Sequence, residues 1–202
     1  VSLKAFLAAK NERDVSVYCC FDNEEVGSNT KQGAMSTFLQ DVLHRINTGM
    51  GRTEEEYLTA LASSFMLSAD NAHGVHPNYP EKACPTNRPY LNEGIVIKYS
   101  ANQKYTTDGM AAAVFTQICE RAGVPVQKFL NRSDILGGST LGNISGTQVA
   151  LNSVDIGLAQ LAMHSPYETG GIKDTDYLIA AAKEFFRASV VEIGSGEYRV
   201  KE

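Results

Sequence analysis

Apolar and polar positions along the chain follow patterns that are typical of both helices and strands. Residues 3–9 and 33–46 are apolar at helical spacing, which predicts two amphipathic helices. Residues 15–21 form a short β-branched and aromatic run, and residues 64–69 are also apolar, so both segments predict buried strands. Helices that feed strands in this way are typical of α/β proteins.

Capping and chain-breaking residues predict where further elements begin and end. Thr53 and Glu56 form a capping box, which predicts the start of a helix of about three turns. Asp108 precedes a second helix, which ends where Gly123 closes it. Similar signals predict strands at 94–98 and 154–158, a long irregular loop at 73–92, a Gly-rich turn at 137–142 and a last helix at 176–187.

The composition fits one globular domain, residues 1–202. Hydrophobic residues make up 43% of the chain and charged residues 20%, which is enough apolar surface to bury a single core. The net charge of -5 with scattered basic residues gives no surface for nucleic acid or an anionic membrane. The apolar runs are far shorter than the roughly 20 residues of a membrane span. Small molecules, peptides or other proteins therefore remain as possible binding partners.

The cysteines and the first residue bear on where the protein acts. The four cysteines show neither disulfide-scaffold nor zinc-ribbon spacing, so we expect a reducing, cytoplasmic location. The chain begins at Val1 without an initiator methionine or a signal-like segment. We therefore expect its start to lie inside a longer polypeptide.

Acidic residues follow the first predicted strand, in the segment FDNEEVGS. Open α/β sheets bind ligands at such strand ends. Neighbouring side chains of an extended backbone point to opposite sides, so Glu24 and Glu25 can divide two tasks. One carboxylate can bind a metal ion while the other takes a proton from water. The alternative is an ordinary solvated turn, since acidic loops are common.

Two other strand ends carry residue types that bind metals. Asp70, His73 and His76 lie in one loop after residues 64–69, and carboxylate and imidazole are groups that zinc accepts. His164 follows the strand predicted at 154–158, although a single histidine beside apolar residues is more often structural. Three strand ends with such residues predict a shared site.

Lys98 and Tyr105 flank a predicted hairpin-like turn. They can place an ammonium and a phenol near an acidic or carboxyl-bearing substrate. Exposed lysines and tyrosines are common, so an ordinary surface pair is the alternative.

Four segments of this chain resemble those of the aspartyl aminopeptidases: FDNEEVGS, LSADNAHGVHPNY, IVIKYSANQKY and LAMHS. They occur in the same order and at similar separations, and the resemblance covers nearly the whole chain. Four long motifs are far more specific than one short motif. The resemblance implies an α/β catalytic domain, a three-layer αβα sandwich around a mixed sheet as in zinc peptidases. The family's N-terminal part and inserted dimerisation domain are absent from residues 1–202.

The resemblance also implies a role for each matched residue. Glu24 would be the general base, and Glu25 and His164 would be metal ligands. Asp70 would bind metal and also lie against the substrate. The other substrate contacts would be His73, Lys98 and Tyr105. Each intact active site would hold two metal ions, commonly Zn²⁺ with Mn²⁺ or Co²⁺ as alternatives, and a bridging water that attacks the first peptide carbonyl.

Members of this family release N-terminal Asp or Glu from peptides and assemble into homo-oligomers. Lys98 is a physically suitable partner for the acidic side chain. The family's upstream histidine ligand and metal-bridging aspartate have no counterpart in residues 1–202. We therefore expect this chain alone to bind metal poorly and to be inactive.

Two alternatives stay open from the sequence. One is another binuclear metallohydrolase of the same fold, such as a deblocking aminopeptidase or an amidohydrolase that acts on acylated amino acids. The other is an inactive fragment that serves as a binding or assembly module, which the absent bridging aspartate favours.

Overall fold

A computed structural model describes residues 1–201 as alternating helices and strands. The helices are α1 (Ser2–Ala8), α2 (Phe38–Gly49), α3 (Glu54–Ala62), α4 (Gly109–Ala122), α5 (Leu141–Ser145) and α6 (Ile172–Arg187), with 3-10 turns at Glu24–Val26 and Pro80–Lys82. The strands are β1 (Phe65–Ala69), β2 (Ala72–His73), β3 (Ile95–Tyr99), β4 (Val126–Leu130), β5 (Asn152–Gly157), β6 (Ala159–Leu161), β7 (Thr169–Gly170), β8 (Ser189–Gly194) and β9 (Glu197–Lys201).

The main sheet has four strands in the order β1-β5-β3-β4. β1 runs parallel to β5 and β3 runs parallel to β4, whereas β3 and β5 are antiparallel. A smaller sheet, β2-β6-β7, continues from the ends of β1 and β5. The expected α/β fold around a mixed sheet is confirmed.

The two faces of the main sheet have different chemistry. Ile97, Val154 and Ile156 face α4 and α6 and form the centre of the largest apolar core. Each such side chain stabilises the fold by about 1.5–3 kcal/mol on burial. Ser68 and Asp155 are register neighbours on the opposite face, where α5 packs. This second face, with its buried polar groups, leads to the candidate site.

The helix ends predicted from capping residues are confirmed. Thr53 and Glu56 form the capping box reciprocally at the start of α3. The Asp108 side chain accepts a hydrogen bond from the Ala111 N–H at the start of α4. Gly123 ends α4 with φ of 66°, the left-handed region that glycine adopts without strain.

The strand predicted at 15–21 is wrong. This segment is mostly exposed and pairs with no strand among residues 1–201. β-Branched and aromatic side chains favour extended backbone, but a strand also needs a neighbour for its N–H and C=O groups. The residue types in 15–21 favour a strand, but they do not indicate whether a second strand lies beside it.

Other differences follow from topology. A turn does lie between Lys98 and Tyr105, where the Gln103 N–H donates to the Ser100 carbonyl at 3.1 Å, but it does not form the expected hairpin. β3 pairs in parallel with β4, and α4 lies between these two strands in the chain. Parallel neighbours require such a crossover. The sequence analysis also missed β4 and the β8–β9 hairpin. No helix among residues 1–201 is long and apolar enough to cross a membrane.

Candidate functional site

The adjacent glutamates lie on a 3-10 turn and not on the extended backbone that the sequence analysis assumed. Asn23 and Gly27 flank the turn in left-handed conformations, with φ of 61° and 93°. The Ser28 N–H donates to the Asn23 carbonyl at 2.9 Å and closes the turn. Glu24 and Glu25 are therefore presented side by side on a short, hydrogen-bonded projection, and both are exposed.

His164 lies in the loop that follows β6. Its Nδ1 is 2.8 Å from Oε2 of Glu25, a residue 139 positions earlier in the chain. Its backbone N–H donates to Oε1 of Glu168 at 2.8 Å. The fold therefore brings an imidazole from the C-terminal half of the chain against the glutamate turn in the N-terminal half.

Glu24, Glu25 and His164 form a compact set of possible metal ligands. One ligand atom from each residue lies within 4.8 Å of the other two. Two carboxylates and an imidazole are groups that zinc binds, and their exposure leaves room for further ligands such as water or substrate. The donor set fits a zinc ion.

Lys98, Asp70 and Tyr105 form a second group. The Lys98 Nζ is 3.8 Å from Oδ2 of Asp70 and donates to the Asn71 carbonyl at 3.1 Å. It also lies 5.4 Å from the centre of the Tyr105 ring. Burial lowers the pKa of Lys98, which is only 2% exposed, whereas the carboxylates of Asp70 and Asp155 oppose that change. A buried cation therefore stands beside a carboxylate and an aromatic ring.

The electrostatics connect the two groups. Loss of solvent raises the pKa of Glu24, and the negative charges of Asp70 and Glu25 raise it further. Desolvation lowers the pKa of His73, and the charges of His164 and Lys98 add to this effect. The hydrogen bond from the His164 imidazole to the Glu25 carboxylate is the main reason that the pKa of His164 is raised. Charges from both groups thus act on the same side chains.

Backbone strain occurs in both loops that carry Glu24, Glu25 and His164. Asn23 and Ser28 flank the glutamates, and both have φ of 61°. Ala162 and His164 have φ of 56° and 66°. Non-glycine residues in this region cost on the order of 1–3 kcal/mol each, and such strain is concentrated at functional sites.

The structure separates the histidines that the sequence could not distinguish. His164 joins the glutamates, and His73 lies on β2 close enough to feel the charges of His164 and Lys98. His76 instead accepts a hydrogen bond from the Asn78 N–H through Nδ1, within its own turn.

Three other residues around the site were missed by the sequence analysis. Glu168 accepts a hydrogen bond from the His164 N–H, Asn131 donates to the Tyr105 hydroxyl at 3.0 Å, and the charge of Asp155 acts on both Lys98 and Tyr105. The apolar alternation around Asp155 gave a possible signal, since a carboxylate at an inward position of a core strand needs a partner.

Comparison with known proteins identifies the family. A model of the M18 peptidases, described as aminopeptidase I zinc metalloprotease, matches residues 1–186. The chain is 52% identical over 184 residues to a probable M18 family aminopeptidase 2 of Clostridium acetobutylicum, covering 91% of this chain and 42% of that protein. A namesake from Mycobacterium tuberculosis is 43% identical over 178 residues, covering 88% and 41%. The chain thus spans about two fifths of these relatives.

Solved structures share the fold. An M18 aminopeptidase from Thermotoga maritima superimposes with a TM-score of 0.81 at 26% identity, covering 92% of this chain and 43% of that one. The S. cerevisiae mApe1 dodecamer gives a TM-score of 0.71 at 33% identity, covering 82% and 36%. With the match to the family model and the similarity to the curated relatives, these likenesses lead to one conclusion: the chain belongs to the M18 family of aminopeptidase I zinc metalloproteases.

Proposed function

We propose that this chain forms part of the active site of a metal-dependent aminopeptidase that releases N-terminal residues, preferably Asp or Glu, from peptides. The observation that carries the proposal is the approach of Glu24, Glu25 and His164, whose ligand atoms lie within 4.8 Å of one another. Membership of a zinc metalloprotease family supports the same chemistry.

Glu25, Asp70 and His164 are the proposed ligands of two zinc ions. Asp70 is not a member of the compact set of Glu24, Glu25 and His164, and its Oδ2 lies 3.8 Å from the Lys98 Nζ. The Nδ1 of His164 and Oε2 of Glu25 lie 2.8 Å apart, close enough for one ion to contact both in place of the hydrogen bond between them. When bound, zinc polarises a carbonyl group and lowers the pKa of water. Manganese or cobalt fits the same donor types.

Glu24 is the proposed general base. Desolvation and the neighbouring carboxylates of Asp70 and Glu25 raise its pKa, which makes it a better proton acceptor than an ordinary glutamate. It lies beside the proposed ligands without the hydrogen bond that joins Glu25 to His164. Glu24 can therefore take a proton from water and later pass it to the departing amine.

Lys98 is proposed to bind the acidic side chain of a substrate's N-terminal Asp or Glu. Its ammonium is buried, and Asp70 is its nearest carboxylate at 3.8 Å, a long contact for an ion pair. A substrate carboxylate can approach the same ammonium and form a charge-assisted hydrogen bond. His73 and Tyr105 border this position and are the proposed neighbours of the substrate side chain.

The protein as a whole is proposed to be a cytoplasmic homo-oligomer. One solved relative is a dodecamer. Residues 1–202 would then form part of the catalytic domain of each subunit.

The test compares this chain with the full-length gene product. Hydrolysis of Asp- and Glu-p-nitroanilide is measured against Leu-p-nitroanilide and acylated amino acids. In the active protein, Glu24→Gln should lower kcat by about 10²–10⁴-fold with bound zinc unchanged, because it removes proton transfer and keeps the side-chain shape. Glu55→Gln makes the same change at an exposed glutamate on α3 and should leave the rates unchanged.

The outcomes separate the alternatives. We expect this chain alone to be inactive and the full-length product to prefer acidic substrates. A preference for acylated amino acids would favour another metallohydrolase of this fold. Absence of hydrolysis in both proteins would favour a binding or assembly module and contradict the proposal.

A further inference from the structure

Asp155, on β5, is a fully buried carboxylate to which the proposed reaction assigns no task. Its Oδ2 accepts three hydrogen bonds, from the Thr106 N–H at 2.6 Å, the Thr106 hydroxyl at 3.1 Å and the Thr140 hydroxyl at 2.7 Å. Burying a charge is costly unless it is well hydrogen-bonded. Asp155 therefore forms strong hydrogen bonds with two segments that are distant from it in sequence, around Thr106 and Thr140.

The first segment carries Tyr105. Besides the two bonds from Thr106, the Asp155 backbone N–H donates to the Thr107 hydroxyl at 2.9 Å. The two residues directly after Tyr105 are thus both attached to Asp155. Tyr105 in turn lies against the Lys98 ammonium, with 5.4 Å between Nζ and the ring centre.

The second segment is the Gly-rich loop at 137–142. A Cβ on Gly142 would lie 2.7 Å from Oδ1 of Asp155, and one on Gly137 would lie 2.3 Å from Nδ2 of Asn131. Asn131 is the residue that donates to the Tyr105 hydroxyl. Gly142 therefore allows the loop to approach Asp155 closely, and Gly137 lies against the side chain that binds the Tyr105 hydroxyl. The Thr140 N–H also donates to the carbonyl of Lys104, the residue before Tyr105, at 3.4 Å.

Two buried polar atoms at Asp155 lack a hydrogen-bond partner, which is unusual for a residue with a purely structural role. Its Oδ1 and the Ser68 hydroxyl are buried without a hydrogen-bond partner in the part of the chain that the structure describes. A neutral side chain would fill this place at lower cost in desolvation. The negative charge lies on the face of the sheet that also carries Lys98.

We propose that Asp155 is a positioning residue for the substrate side of the active site: it fixes the segment 105–107 against the Gly-rich loop, so that Tyr105 and Lys98 keep their relative places. The inference depends on the proposed function, because it assigns Lys98 and Tyr105 to substrate binding. Asp155 itself touches neither substrate nor metal.

Asp174 provides a matched control. It is the other fully buried aspartate, and it accepts backbone N–H bonds from Asn92 at 2.6 Å and Gly94 at 3.0 Å. Asp174→Asn therefore also removes a buried charge that binds backbone amides. These amides belong to the loop before β3, which does not carry Tyr105.

The experiment uses the full-length gene product and Glu-p-nitroanilide. Asp155→Asn should raise KM by about tenfold or more, the size expected for weakened hydrogen bonds to a charged group, with a smaller change in kcat and with zinc content unchanged. Thr140→Val, which removes the hydroxyl that binds Asp155, should also raise KM. Thr140→Ser, which keeps a hydroxyl, should leave KM near the wild-type value. Asp174→Asn should lower the melting temperature and leave KM within about twofold of the wild type.

A second readout separates this inference from the proposed function. Hydrogen exchange of residues 103–107 and 137–142 should accelerate in Asp155→Asn and not in Asp174→Asn, whether or not the protein hydrolyses peptides. If the wild type is inactive, the proposed function fails. Unchanged hydrogen exchange in Asp155→Asn would overturn the positioning role of Asp155 whether or not the wild type is active. In an active protein, an unchanged KM for Asp155→Asn and Thr140→Val, or equal effects of Asp155→Asn and Asp174→Asn, would overturn the inference.

Discussion

At the residue scale, two adjacent glutamates of the same sequence motif have different surroundings. Glu25 contacts His164 at 2.8 Å, whereas desolvation and neighbouring negative charges raise the pKa of Glu24. Two carboxylates with such different surroundings are suited to different tasks. The sequence indicated that the pair divides two tasks, but it gave the wrong geometric reason, since the residues lie on a 3-10 turn.

His164 should make zinc binding depend on pH. The hydrogen bond from its imidazole to the Glu25 carboxylate raises the pKa of His164 above its usual value, and a protonated imidazole cannot bind metal. Zinc affinity should therefore be highest above the raised pKa and should fall as pH decreases through it, by about tenfold per unit below it. Competition with a chromophoric chelator between about pH 5.5 and 8 measures this dependence.

His44 supplies the control for that titration. It forms an exposed pair with Glu54 at 2.7 Å, which matches the His164–Glu25 pair in composition and distance. His164→Ala should lower zinc affinity and remove the corresponding part of the pH dependence, whereas His44→Ala should change neither. Equal behaviour of the two variants would exclude His164 as a ligand.

At the scale of elements, the sequence predicted local structure well wherever the signal itself was local. The capping box at Thr53 and the C-terminal glycine of α4 are examples, because both depend on residues within one helical turn. Residues 15–21 failed because strand formation depends on a partner that is distant in sequence. Asp155 was missed for a similar reason, since its partners lie 49 and 15 residues away.

Gly94, directly before β3, is required by the packing of that strand. Its φ is 113°, and a Cβ there would lie 2.2 Å from the Pro125 carbonyl oxygen, an atom that accepts the Ile95 N–H. Gly94→Ala should lower the free energy of unfolding by about 2 kcal/mol or more, because the strained backbone and the clash cannot both relax. Urea denaturation measures the change.

Gly109 is the matched position. It begins α4, and a Cβ there would meet nothing within 4 Å. Gly109→Ala should stabilise the protein by about 0.4–1 kcal/mol, because alanine restricts the unfolded chain. A Gly94→Ala variant as stable as Gly109→Ala would show that the start of β3 is not held as described.

At the scale of the whole molecule, the candidate site depends on segments that lie far apart in the chain. Glu25 and His164 are 139 positions apart, and Asp70 and Lys98 come from between them. The sequence predicted that three strand ends would carry such residues, but Glu24 and Glu25 follow a segment that pairs with no strand among residues 1–201. Periodicity alone could not predict their approach, since it depends on strand order and on the parallel pairing of β1 with β5.

The central claim is that Glu25, Asp70 and His164 hold zinc, with Glu24 beside it. Anomalous diffraction at the zinc edge, from crystals of the zinc-loaded full-length gene product, tests this claim most directly. The account predicts anomalous peaks within bonding distance of these three side chains, at about 2.0–2.2 Å from their oxygen or nitrogen atoms. Zinc peaks bound elsewhere, with these side chains free of metal, would contradict it.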